Sequence, residues 1–228
     1  MTNRLTPEEA IARLVEGNRR FSAGLASLEG ATCVERRITL AKEGQNPFAI
    51  IFCCSDSRVP AEIVFDCGLG DLFVVRNAGN VVSPTLLGSI ELAAIWFESP
   101  LCLVMGHSNC GAIAAAIDHA RGWALPDSPS VRQLISQIAP AAQAAIREVE
   151  EDRHAQIDRA VRHNVRQTLS SMLESSRILQ DLVADGRMKL AGAVYDLGKG
   201  TVSFDPSLTP TLRDVDVDPV SDIPPARR

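Results

Sequence analysis

FAIIFCC (48–54), DLFVVR (71–76) and LCLVMG (101–106) are three apolar runs that lack the polar–apolar alternation of a half-exposed strand. Runs of this kind mark strands covered on both faces, as in a parallel sheet. Candidate helices follow the second and third runs, at Thr85–Glu98 and Ala112–His119. A fourth run, MKLAGAVYDL (188–197), meets TVSFD (201–205) through Gly198-Lys199-Gly200, which reads as a hairpin at a sheet edge. The order of elements predicts an α/β fold: a mostly parallel central sheet with an antiparallel edge strand, flanked by helices.

Toward the N-terminus the chain reads as a helical arm. Pro7 suits a first helical turn after Thr6, Glu8 and Glu9 complement the helix dipole, and Ala10, Leu14 and Phe21 form part of an apolar face. Residues 23–46 mix Gly, Ser and charge, a connector with a further helix near Val34–Lys42. Toward the C-terminus, residues 130–184 read as helical with a break near Pro140. Ile157, Val161, Val165, Leu169 and Met172 recur there at helical spacing, a stripe for core packing or subunit contact. The tail beyond Asp205 has five prolines and few large apolar residues. The expected organisation is one catalytic domain over 1–205 and an extended or disordered tail over 206–228.

Composition narrows the function classes. Of 228 residues, 46% are hydrophobic and 22% charged, with a net charge of −5. An acidic balance offers no basic patch for nucleic acid, and no apolar run of about 18 residues marks a membrane span. MTNRLTPEEAIARL carries no hydrophobic signal segment, so the cytoplasm is the expected location. Six cysteines are too few for a disulfide scaffold in a chain of this length, so they bind metal, react or pack.

Two segments concentrate chemistry at predicted strand ends: Cys53-Cys54-Ser55-Asp56-Ser57-Arg58-Val59-Pro60 and Gly106-His107-Ser108-Asn109-Cys110-Gly111. Sites of open α/β sheets form beyond the carboxyl ends of strands, so the two can converge. Two thiolates and an imidazole suit a borderline-soft cation, zinc first. Adjacent strand residues point to opposite faces, which turns Cys53 away from Cys54. Cys54, His107 and Cys110 then leave a fourth position open, as in catalytic zinc. His-x-x-Cys by itself equally fits a core histidine beside a buried cysteine. Cys33, Cys67 and Cys102 show no ligand spacing and read as packing residues, and Arg76 as a structural ion-pair partner more than an inward cation.

The pattern Cys54-Ser-Asp56-Ser-Arg58-Val-Pro60, with Arg76-Asn77-Ala78-Gly79-Asn80 and His107-Ser-Asn-Cys110-Gly111, closely resembles the β-carbonic anhydrases. The resemblance runs from Leu14-Val-Glu-Gly-Asn-Arg-Arg-Phe21 to Gly192-Ala-Val-Tyr195-Asp196 and so covers most of the chain. It implies one zinc per chain, on Cys54, His107 and Cys110, and hydration of carbon dioxide to bicarbonate by zinc-bound hydroxide. Asp56 and Arg58 match the family's dyad. Asp56 is there either a fourth ligand or the acceptor of the nucleophile's hydrogen bond, and Arg58 can hold it off the metal.

For the substrate pocket, the resemblance implies Gln45 as a donor and Phe73 as an apolar wall. Gly111 has a reading of its own: it lies where a helix is expected to begin after the ligand turn, which lets backbone approach the metal and aims N–H groups at an anion; a plain turn glycine is an equal alternative. Leu92 stands where many relatives carry tyrosine. Phe48-Ala-Ile-Ile-Phe-Cys-Cys holds no tryptophan, which points to the plant-like subgroup rather than the bicarbonate-inhibited one. A homodimer or larger homo-oligomer is implied, with sites at the subunit interface and the N-terminal helix packed across a partner. Two rivals share the motifs: a carbon disulfide hydrolase on the same scaffold, and a zinc-binding homologue without turnover. A redox pair at Cys53–Cys54 lacks the Cys-x-x-Cys arrangement.

Overall fold

The computed structural model describes residues 5–27, 33–149 and 152–209. Five strands form one sheet: β1 (Ala49–Cys54), β2 (Leu72–Asn77), β3 (Leu101–His107), β4 (Lys189–Asp196) and β5 (Thr201–Phe204), in the order β2-β1-β3-β4-β5. The first four are parallel and β5 is antiparallel to β4 at the edge, as the runs and the glycine-rich turn predict.

The continuous apolar character of β1 and β3 has a direct cause. All six residues of β1 and all seven of β3 are buried, because helices cover both faces. Ile50, Phe52, Cys102 and Val104 pack on one side with α4 (Pro84–Phe97), α7 (Arg153–Ser175) and α8 (Arg177–Ala184). Ala49, Ile51, Cys53, Leu103 and Met105 pack on the other with α1 (Pro7–Ser22) and the short α3 (Ala61–Val64). A third cluster joins α5 (Gly111–Ala120), α6 (Pro129–Glu148) and α7 near the carboxyl ends of the strands. The stripe Ile157, Val161, Val165, Leu169 and Met172 is core throughout.

Two expectations change. The helical region is not interrupted at Pro140, which lies inside α6. Pro140 and Ser136, whose carbonyl it leaves unpaired, are on the exposed face. Solvent can satisfy that carbonyl while Ile135, Ile138, Ala141 and Ala142 hold the buried face together. That helix ends at Glu148 with Val149 as its C-cap, and α7 starts on an Asp152 cap. The N-terminal helix docks on its own chain: Ala10 and Leu14 are fully buried, and Asn18 bonds Val64 O, Gly200 O and the Val202 N–H. A Thr6–Glu9 capping box starts it as Pro7 suggests. The packed chain also continues past Asp205, which caps a short turn at Pro206–Leu208 that buries Leu208 against Gly192. The rest of the expected tail, 210–228, lies outside the described residues.

Cys67 and Cys102 are packing residues, as expected. Cys33 is half-exposed and serves as the N-cap of α2 (Val34–Glu43), its sulfur accepting the Arg36 N–H at 3.4 Å.

Gly17 sets how closely α1 approaches the body, since a Cβ there would sit 1.9 Å from the Phe65 carbonyl oxygen. Backbone cannot move aside as a flexible side chain can. Gly17→Ala is expected to cost about 3 kcal/mol, lowering the thermal midpoint by roughly 6–12 °C in a melt followed by circular dichroism.

Candidate metal centre

The parallel pairing of β1 and β3 places Cys53 opposite Met105, so Cys54 and His107 leave the sheet at the same edge. Cys54 turns toward the α5–α7 side and packs with Cys110, Ile113 and Val161, while Cys53 faces α1. Burial pushes the Cys53 thiol up to about 12. That is an inert packing cysteine.

After His107 the chain turns sharply, with Asn109 at φ 53°, a left-handed conformation that asparagine tolerates. Ser108 ties this turn to the sheet edge: its N–H donates to Tyr195 O, and its hydroxyl accepts the Leu197 N–H, both at 2.9 Å. Cys110 is the N-cap of α5, so the positive end of the helix dipole lies beside its sulfur.

The two sulfurs stand 4.0 Å apart, and both lie within 4.8 Å of a His107 ring nitrogen. Tetrahedral zinc holds two thiolates about 3.8 Å apart. His107 Nδ1 is 2.9 Å from Ser108 O, and the tautomer that donates there leaves Nε2 with its lone pair. Nε2 has no hydrogen-bond partner among the described residues, although the residue is only 1% exposed. A buried imidazole nitrogen is ordinarily partnered. Left bare beside two sulfurs, it fits a zinc ligand set, with Ser108 O as the group that orients the ring. Without a cation, donation from the Cys110 thiol holds the Cys54 thiol well below its ordinary range. The same contact, with burial, pushes Cys110 up.

Asp56 borders this cluster, with Oδ2 4.0 Å from His107 Nε2. The Arg58 guanidinium grips it through both oxygens, Nε to Oδ1 at 2.9 Å and Nη2 to Oδ2 at 2.7 Å, and the Arg58 backbone N–H adds a third bond. These bonds hold the carboxyl far below the usual carboxylate range. Arg58 also reaches Asn109 O at 3.4 Å, joining the two loops. Arg76 settles as a structural clip: it donates to Cys54 O at 3.0 Å and to Asp56 O at 2.6 Å. The Gly79 N–H points at Cys54 Sγ from 3.4 Å, a contact that spacing alone does not reveal.

The remaining candidates separate. Gly111 is exposed at the first turn of α5, and a Cβ there would meet nothing within 4 Å, so open space adjoins the site. Gln45 precedes β1 and is exposed, beyond a strand whose ends lie roughly 16 Å apart. Phe73 pairs with Ile50 and stacks near Phe97, roughly 13 Å down the sheet from Cys54. Leu92 lies on the outward face of α4. One chain therefore does not bring Gln45, Phe73 or Leu92 to its own metal cluster.

A parallel-sheet α/β protein with a Cys–His–Cys cluster at its strand ends and a clamped carboxylate beside it has the form of a metalloenzyme. A family model described as carbonic anhydrase matches residues 49–202. The chain is 39% identical over 194 residues to carbonic anhydrase 2 of Mycobacterium tuberculosis, covering 85% of this chain and 90% of that one. The solved β-carbonic anhydrase of Coccomyxa, in complex with acetazolamide, superposes with a TM-score of 0.66 at 25% identity and 85% coverage of both chains. A tetrameric β-carbonic anhydrase of Sordaria macrospora shares the fold, with a TM-score of 0.67 at 22% identity over 85% of this chain and 95% of that one. The chain belongs to the β-carbonic anhydrase family.

Cys53→Ala is expected to retain one zinc per chain in metal analysis of the purified protein, whereas Cys54→Ala and Cys110→Ala lose it. Full zinc in Cys110→Ala would remove that residue from the ligand set.

Proposed function

We propose that this chain catalyses the reversible hydration of carbon dioxide to bicarbonate and a proton, with one zinc held by Cys54, His107 and Cys110. The observation that carries the reading is the Asp56–Arg58 pair beside the unpartnered His107 nitrogen. A closed structural site has no use for a fixed carboxylate at its edge. The chemistry that zinc supplies, when bound, is acidification of a coordinated water from about 16 toward about 7.

The protein's own groups do the rest. Asp56, ionised and held by Arg58, is an acceptor only. It takes the hydrogen bond of the nucleophilic oxygen and so aims a lone pair at carbon dioxide. The same clamp keeps the carboxylate from closing the fourth ligand position. Because the Asp56 pKa is depressed, the pair's contribution is complete above the unfolded value of about 4 and is lost as pH falls below it. Asp56 therefore stays charged across neutral pH, and an acid limb of activity there belongs to the nucleophile.

Assembly completes the pocket in this reading. Gln45 and Phe73 would come from a second copy, as would Leu92, with the Gly111 backbone facing substrate from within the chain. Leu92, Ile95 and Trp96 are exposed on α4, apolar surface that association would cover, and Trp96 is 69% exposed. The tetramer described for the Sordaria relative supports a homo-oligomer. No helix among the described residues is long and apolar enough to cross a membrane.

Stopped-flow hydration of carbon dioxide tests the proposal. Asp56→Asn and Arg58→Ala are expected to keep zinc and to lose about 100-fold or more in kcat/KM. Full activity in Asp56→Asn, or turnover of carbon disulfide with none of carbon dioxide, would overturn it.

A further inference from the structure

The apolar stripe of α7 is interrupted on its buried side by two polar residues one turn apart. Asn164 is 1% exposed and Thr168 is 4% exposed. Burying an amide and a hydroxyl in a core is unfavourable unless each finds a partner. Both do so on the same target: Asn164 Nδ2 donates to Gly79 O at 2.8 Å, and Thr168 Oγ1 donates to Asn80 O at 2.9 Å. A helical spacing of four thus matches two successive carbonyls of the turn that follows β2.

That turn is conformationally demanding. Gly79 has φ 69° and Asn80 has φ 42°, both left-handed. A Cβ on Gly79 would lie 2.7 Å from Ile138 Cδ1 and 3.1 Å from Ala112 Cβ, so the turn is wedged between α5 and α6. Its outward product is the Gly79 N–H, which donates to Cys54 Sγ at 3.4 Å. Asn164 Oδ1, at the other end of the amide, has no protein partner among the described residues. Asn164 and Thr168 line a cavity of about 200 Å³ beside Val81, Gln137 and Pro140. The amide is therefore half-satisfied, and the bond it does make is the one to the Gly79 carbonyl.

We propose that Asn164 and Thr168 are positioning residues for the zinc ligand Cys54, acting through the Gly79–Asn80 turn. By gripping the two carbonyls they fix the two peptide planes that follow Gly79, and so hold the left-handed turn in which the Gly79 N–H, on the preceding peptide, faces the sulfur. A hydrogen bond to a thiolate withdraws charge from it and fixes its direction, the work of the outer groups around a metal. The inference rests on Cys54 being a zinc ligand.

The test measures zinc affinity by chelator competition, and the sulfur-to-metal charge-transfer band of the cobalt(II)-substituted protein. The variants are Asn164→Ala, Thr168→Val, Thr168→Ser and, as a core control on the same helix, Met172→Ala. Asn164→Ala and Thr168→Val are expected to weaken zinc binding about 10- to 100-fold. Both should move the cobalt band to longer wavelength, because a sulfur without its hydrogen bond gives up charge more easily. Thr168→Ser keeps both properties of the unaltered protein. Met172→Ala lowers the thermal midpoint and leaves affinity and band unchanged. Unchanged affinity and band in both Asn164→Ala and Thr168→Val would overturn the inference alone. Absence of zinc from the unaltered protein would overturn the reading of the site with it. Should Asn164→Ala fail to fold, Thr168→Val against Thr168→Ser decides the question, since that exchange keeps the side chain's shape.

Discussion

Everything at the metal centre depends on the parallel pairing of β1 with β3. The register that sets Ile50 beside Cys102 and Cys53 beside Met105 carries both strands to a common edge. There Cys54 and His107, the last residues of their strands, present their side chains to a cation. A one-residue slip would reverse every side chain of β1, exchanging Cys54 for Cys53 at the site and turning Phe52 out of its cluster. The same apolar packing that stabilises the two faces therefore decides which cysteine can bind metal. Fold stability and ligand identity are one constraint in this protein.

Around that register the polar groups are graded by depth. The cysteine sulfurs and His107 are almost wholly buried, where a charge is tolerated only with a partner. Asp56 lies at the boundary, its side chain 16% exposed, and Arg58 beyond it is 54% exposed. The guanidinium keeps contact with water and so avoids the full desolvation cost of a buried ion pair. Its planar fork still fixes the carboxylate through two bonds. Arg76 does the same for the backbone, holding the carbonyls on either side of Ser55. Two exposed cations thus keep the loop after β1 rigid without being buried.

Much of this was legible in the residues. The strands could be read because β1 and β3 are covered on both faces, which forbids polar residues along them. The Gly198-Lys199-Gly200 turn announced the antiparallel edge, and alternation along β1 separated Cys53 from Cys54. What escaped was set by tertiary context. Pro140 reads as a helix break, and only its place on the exposed face of α6 shows why the helix continues. Gln45 and Phe73 lie near their motifs in sequence, yet a parallel sheet sends them to the opposite end from Cys54. The Gly79 N–H is backbone and leaves no side-chain trace. Asn164 and Thr168 did leave one, as polar residues on an apolar helix face, but their target is more than 80 residues away in sequence.

In the proposed site, two sulfurs and one imidazole hold the metal and leave one place for a small oxygen ligand. X-ray absorption at the zinc edge of the purified protein near neutral pH measures that ligand set directly. Two sulfur neighbours and two nitrogen or oxygen neighbours are expected around each zinc. Three or four sulfurs, or fewer than two, would contradict this ligand set.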